Sequence, residues 1–410
     1  MTQKNLHIVA YVAAAFILTV WSAGTASAVV SEQVIYTFTG VPKGLYPLTK
    51  LVYGSGKLYG ATSSGGTATC KCGTVFGLVP KTGGGWTYRT LYSFKGGSDG
   101  STPVGNIIFD TAGNIYGVTG SGGSQEFGTV YELSPGTGGK WTHKVLYDFS
   151  QSPDGNGPNA GLIMDAAGNL YGTTNSGGNN FSGTIFELSL GSNGLWNETV
   201  LYRFSGPDGS SPRAELILDA KGNLYGTTFS GGTNSDGVVF ELSPSSGGGW
   251  SESVLYSFTG GQDQGLLNAP VWMDSKGNLY GTTMGAVQNV QFGTVFELTP
   301  TSTPPWTETT LHTFGQQSSD GTVPAGGLTA DAKGNLFGAT NGGGNAAAGT
   351  IYKLTPGSGG TWNYRVYYTF RGGSNGGAPS TPVTFGKGAI FFGPTTGGAS
   401  STQVIYEIKP

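Results

Sequence analysis

DAKGNLYGTTFSGGTNSDGVVFEL, residues Asp219 to Leu242, joins two strand-like runs through a Gly-rich loop, and it recurs with drift along nearly the whole chain. The last Gly of its G-N-L-Y-G motif falls at Gly60, Gly117, Gly172, Gly226, Gly281, Gly338 and Gly393, in steps of 57, 55, 54, 55, 57 and 55 residues. The aromatic near its end keeps the same beat at Phe76, Tyr131, Phe186, Phe240, Phe296, Tyr352 and Tyr406. A third marker, the L-Y-x-F run, starts its aromatic pair at Tyr36, Tyr92, Tyr147, Tyr202, Tyr256, His312 and Tyr368. Three markers in fixed order describe a tandem repeat whose period is close to one four-stranded propeller blade. The spacing predicts an all-β, seven-bladed β-propeller with four antiparallel strands per blade.

The third copy shows the strands. Strand A, Gly161 to Asp165, runs into a turn that opens with Asp165 and closes with Gly168, where a tight type I turn favours those residues. Strand B runs from Asn169 to Thr174 and strand C from Gly183 to Leu188, with Thr184, Phe186 and Leu188 alternating against Ile185 and Glu187. Strand D runs from Trp196 to Phe204; Trp196, Val200, Tyr202 and Phe204 share one parity, which assigns them to one face. Trp recurs here at 86, 141, 196, 250, 306 and 362, as an anchor between blades. The chain opens with a lone D-like strand, Glu32 to Phe38, and ends with a C-like strand, Gln403 to Ile408, that lacks its D. Pairing the N-terminal strand D with the C-terminal strand C closes the ring and removes two sheet edges.

Residues 1–28 stand apart. Lys4 precedes an apolar run from Ile8 to Val20, and Ala26-Ser27-Ala28 has the small-x-small form of a signal-peptidase site, so a signal peptide over 1–28 and a single propeller domain over 29–410 are expected. That assigns the protein to the periplasm or the extracellular medium, with no membrane span after cleavage. The formal charge is −3, with no basic stripe, which argues against nucleic acid as a partner. Charged residues make up only 10%, but 20 Tyr, 21 Phe and 8 Trp supply enough buried area for a folded core. A monomer is expected. Cys70 and Cys72 are the only cysteines, and in an oxidising compartment they are disulfide candidates.

The combination G-N-L-Y-G-T-T, then G-T-V-F-E-L-x-P, then W-x-x-x-x-L-Y-x-F resembles the GloVer tandem repeat of secreted bacterial proteins, over essentially all of residues 31–409. That resemblance implies an exported propeller of uncharacterised function. More distantly the blade layout is similar to seven-bladed lyase and lactonase-like propellers, whose metal-bound or catalytic acidic and His residues have no counterpart matched here.

Residues present at every beat belong to the fold, so function is sought where one copy departs from the rest. The repeating Asp110, Asp165, Asp219, Asp274 and Asp331 read as turn formers, and Glu132, Glu187, Glu241, Glu297 and Glu407 as strand residues. His143 and His312 lie in different copies and form no metal set. No catalytic set and no metal site is recognised. Oxygen-rich D-A loops such as Asp154-Gly155-Asn156-Gly157 are where Ca²⁺ would bind, if any cofactor does. The sharpest departure is Arg213 with Glu215 at the start of one strand A. With Asn106, Asn159 and Asn268 they are placed around one mouth of the central channel, the expected ligand-binding site. The reading is a non-catalytic binding propeller for carbohydrate or protein. Its alternatives are an exported lyase or hydrolase acting on sugars or lactones, and a structural or adhesive cell-surface protein.

Overall fold

Period-two strands separated by Gly turns should form meanders, and they do. The computed structural model describes residues 30–150, 154–178, 180–285, 292–397 and 402–410. The proposed signal peptide lies outside the described residues. Blade 3 pairs A (Ile163–Met164), B (Leu170–Gly177), C (Thr184–Leu190) and D (Trp196–Arg203) in that order, all antiparallel, with a short extra strand, Gly155–Pro158, beside B. The A-B-C-D order holds in the other sheets, giving a seven-bladed all-β propeller. In the seventh, Ser31–Thr37 supplies strand D and pairs with Val404–Lys409, from Ser31↔Lys409 to Thr37↔Val404 with a bulge between Val34 and Tyr36.

The A-B turns hold together as their sequence implies. Asp165 Oδ1 accepts the backbone N–H of Ala167 and Asn169, and Oδ2 accepts Asn169 Nδ2 at 2.9 Å. The same bonds recur at Asp110, Asp219, Asp274 and Asp331.

Strand D departs from the sequence reading. In blade 3, Phe186 pairs with Val200 but Ile185 pairs with Tyr202, so Leu201 is an extra residue and the strand carries a β-bulge. The bulge reverses the parity beyond it. Trp196 therefore packs towards blade 2, in a cluster with Val118, Val130 and Phe149, whereas Tyr202 and Phe204 pack towards blade 4 with Phe240 and Leu242. Placing all four on one face was wrong, because parity counting assumes an unbroken ladder. One strand thus grips both neighbours. Phe204 meets Phe240 of the next blade edge-on at 5.2 Å, and Phe94–Tyr131, Phe149–Phe186, Phe258–Phe296, Phe314–Tyr352 and Phe370–Tyr406 repeat that contact at 5.0–5.1 Å. Phe38–Phe76 makes it between the N-terminal strand and blade 1 at 5.6 Å.

These rings also explain the recurrent Gly of strand B. Phe240 lies across Gly226 of its own blade, so that a Cβ at Gly226 would stand 2.5 Å from the ring and 2.9 Å from Leu216. Gly60, Gly117, Gly172, Gly281, Gly338 and Gly393 have the corresponding ring over them. Gly226→Ala should therefore overpack an interior with no slack, lowering stability by about 2–3 kcal/mol. Thermal melting checks this: a transition within a degree of wild type would contradict it.

Candidate functional site: the channel mouth

Strand A is only two or three residues long in every blade but the second, where it spans Ser101–Phe109, so residues at or just before its start form the channel wall. Aligning the repeats on Leu51, Ile107, Leu162, Leu216, Val271, Leu328 and Val383 gives two rings. The inner ring is Lys50, Asn106, Gly161, Glu215, Pro270, Gly327 and Pro382; the outer ring is Leu48, Val104, Asn159, Arg213, Asn268, Ala325 and Ser380. All fourteen line one cavity of about 520 Å³, joined by Met284, Asn341 and Thr396 from the ends of B strands. Arg213, Glu215, Asn106, Asn159 and Asn268 therefore share one concavity.

Arg213 and Glu215 part company within it. The Glu215 carboxylate turns inward, crosses blade 3 and accepts the Asn106 backbone N–H at 3.0 Å. Gly161 makes that path available: a Cβ there would collide with Glu215 Oε1 and with the Asn106 backbone. Asn106 Oδ1 in turn accepts the Lys50 backbone N–H at 2.7 Å. A polar belt thus runs from blade 1 to blade 4 at the channel waist, and Lys50, Asn106 and Glu215 also line a second cavity of about 360 Å³ on its far side. Burial pushes the Glu215 carboxyl above its ordinary value, with Asn106 N–H and the Lys50 charge opposing it. Burial likewise pushes the Lys50 ammonium down, against the pull of Glu215. This layer is a cross-brace as much as a site.

Arg213 faces the other way, to the mouth. Its Nε donates to Asn175 Oδ1 of blade 3 at 2.9 Å, and its guanidinium carbon lies 3.9 Å from the centroid of Phe229 in its own blade. Held by an amide and an aromatic face, the fork is oriented without being neutralised, and among the described residues no carboxylate forms an ion pair with it. Asn159 is exposed, while Asn268 and Asn341 are partly buried beside it. The Phe181 side chain stands 60% exposed on the neighbouring loop, where Ser182 O receives the Ser211 backbone N–H. The site therefore offers two cations, Arg213 at the mouth and Lys50 at the inner ring, with several amides and nearby aromatic surface.

The sequence reading missed Lys50 and Asn341. Lys50 was findable: the first A-B turn is one residue shorter than the others, and once that is allowed for, Lys50 falls at the repeat position of Asn106 and Glu215. The histidines serve the blade junctions. His143 stacks on Tyr92 at 4.5 Å with Nδ1 3.2 Å from Asp99, and His312 stacks on Tyr364 at 3.5 Å with Nε2 3.1 Å from Asp320. Asp154 is engaged by Tyr147 Oη and by the backbone N–H of Ser150 and Gly155. Among the described residues no three His, Cys, Asp or Glu side chains converge as a metal set would. Cys70 and Cys72 are joined as a disulfide in the first B-C loop, with Cα atoms 5.2 Å apart.

The family described as the Gloeobacter/Verrucomicrobia repeat matches residues 19–235 and again 192–407. The chain belongs to that family. No curated protein matches. Among solved structures, the Gloeobacter/Verrucomicrobia repeat chain is similar to a protein of Bacteroides uniformis ATCC 8492 assigned as a 6-phosphogluconolactonase, at 12% identity and a TM-score of 0.50, covering 78% of this chain and 85% of that one. It is also similar to an ancestral GH74 enzyme at 11% identity and a TM-score of 0.52, covering 91% of this chain and 51% of that one, so it spans about half of that enzyme. At such identities the likeness shows the propeller fold and no more of these repeat chains.

Proposed function

We propose that this protein is an exported, non-catalytic propeller that binds carbohydrate at the channel mouth, with Arg213, Asn159, Asn268 and Asn341 as the contacting residues. The observation that carries the reading is Arg213: a guanidinium fixed by Asn175 and Phe229, unpaired by any carboxylate among the described residues, in the wall of a concavity fringed with amides. Amides and Arg suit the hydroxyl and carboxylate oxygens of sugars, and a rigid ring keeps them preorganised. Glu215 supports binding over catalysis, because its Oε1 already accepts a backbone N–H and no second carboxylate lines the cavity among the described residues. The leader-like residues 1–28 support export.

The test is calorimetric titration of the exported protein with neutral and acidic oligosaccharides, together with an assay for product. Arg213→Ala should weaken binding of acidic oligosaccharides by about 10- to 100-fold, the range for losing one charge-assisted fork. Equal affinity in wild type and variant would remove Arg213 from the site. Product formation would replace the binding reading with an enzymatic one.

A further inference from the structure

Blade 6 breaks the repeat in three places that touch one another. Strand C carries Glu at 132, 187, 241, 297 and 407 and Gly77 in blade 1, but Lys353 in blade 6. The residue facing it on strand B is Tyr116, Tyr171, Tyr225 or Tyr280 in blades 2 to 5, but Phe337 here. The residue facing it on strand D is Lys144, Thr199, Ser253 or Thr309 in those blades, but Arg365 here. In blades 3 to 5 the arrangement satisfies itself: Tyr171 Oη donates to Glu187 at 3.2 Å, Tyr225 Oη to Glu241 at 2.9 Å, and Tyr280 Oη to Glu297 at 2.8 Å. In blade 6 two cations stand directly opposite each other across the ladder, an unfavourable pairing.

Among the described residues Asp331, which lines the same cavity, is the carboxylate whose charge acts on Lys353, and it makes no ion pair with it. Neither Lys353 nor Arg365 forms an ion pair. The nearby Asp331 carboxylate is committed to its own turn, through the backbone N–H of Lys333 and Asn335 and the Asn335 side chain. Burial pushes the Lys353 ammonium down, and the charges of Arg365 and Lys333 push it the same way, against Asp331. Lys353 Nζ lies 5.4 Å from the centroid of Phe337, and the Arg365 guanidinium 5.4 Å from that of Tyr367. With Phe385 and Phe391 of blade 7 they line a cavity of about 430 Å³, none of whose lining residues is shared with the channel mouth.

We infer that this pocket binds an oxoanion carried on a flat apolar body, the anion between Lys353 and Arg365 and the body against Tyr367 and Phe385. Two facing cations that destabilise the empty sheet become favourable once an anion lies between them, and the aromatic wall suits a ring better than a bare ion. Carboxylate, sulfate and phosphate share this chemistry.

The test is thermal melting of the exported protein at low ionic strength with benzoate, phenyl sulfate and phenyl phosphate as probes, and with benzyl alcohol and inorganic phosphate as controls. At least one aryl anion should raise Tm in a saturable way, while the controls at equal concentration and ionic strength should not. Lys353→Glu and Arg365→Thr install residues already used at these positions in other blades, so both should fold. Each should abolish the shift, and Lys353→Glu should also raise Tm without ligand by restoring an opposite-charge pair like Glu132 and Lys144. Arg213→Ala should leave the shift intact, which separates this pocket from the channel mouth. A shift with benzyl alcohol, an equal shift with inorganic phosphate, no shift with any aryl anion, or a shift that survives both variants would each overturn the inference.

Discussion

A chain lacking residues 31–38 is expected to lose its cooperative melting transition. These residues supply strand D of the seventh blade, and their removal strips the ladder from Val404–Lys409 along its whole length. It also uncovers blade 1, because Phe38 is 4% exposed against Phe76, and Tyr36 stacks on Tyr88 at 4.3 Å. Glu32 goes too, and with it the bond from Asn375 Nδ2 at 3.0 Å. Losing Phe38 alone to Ala should cost about 3–5 kcal/mol. The strand with its other side chains brings the total to a magnitude comparable with the entire stability of an ordinary domain, roughly 5–15 kcal/mol. The outer edge of Val404–Lys409 would then face solvent, so aggregation should accompany the loss. A synthetic peptide spanning 29–40, added in trans, should restore the transition by strand addition. If the truncated chain melts at the wild-type temperature without the peptide, the terminal strand does not hold the ring.

The repeat makes most of this architecture legible in the amino-acid sequence itself. A marker that recurs seven times is a strong signal for blades, and the orphan strands at the termini name their own pairing. Two kinds of information are not available to a linear reading. The bulge at Leu201 is set by how strand D must turn to touch blades on both sides, and no residue type announces it, so parity counting puts Tyr202 and Phe204 on the wrong face. The direction of a side chain in the channel depends on its neighbours across the ring. Arg213 and Glu215 are two residues apart, yet Gly161 opens a path inward for one and Phe229 offers a face to the other. The departure of blade 6 is visible as a charge reversal in the Glu series at Lys353, where blade 1 has only Gly77, but its meaning needs the cross-strand register that sets Arg365 opposite.

The second large effect is on pH. Raising pH from about 5 to 8 is expected to destabilise the protein, and the carboxyls of Glu198 and Glu252 contribute to this in the same direction as the raised carboxyls of Glu215, Glu32 and Glu308. Glu198 and Glu252 each sit on strand D at a blade junction. Burial, with the nearby charge of Asp154 at Glu198 and of Asp208 at Glu252, pushes both up to about 7 from 4.5. Tyr147 and Asp148 also share the Glu198 junction, where Arg203 opposes the shift, and Tyr202 shares that of Glu252. A folded-state pKa above the unfolded one means that the native state binds protons more tightly. The stabilisation is therefore complete below about pH 4.5 and is lost as pH rises through about 7. Allowing for partial solvent exposure, about 1–2 kcal/mol per site is a fair magnitude. The Asp residues held below their ordinary value of 3.8, among them Asp165, Asp208 and Asp320, act at lower pH and leave this window alone. His143, whose burial lowers its pKa from 6.5, opposes the trend, since its contribution is lost as pH falls. A difference measurement removes that interference. The double variant Glu198→Gln and Glu252→Gln keeps the shape but cannot ionise, so it should melt well above wild type at pH 8 and close to it at pH 5. Melting curves that shift in parallel at both pH values would mean that these carboxyls ionise as freely in the blade junctions as in water.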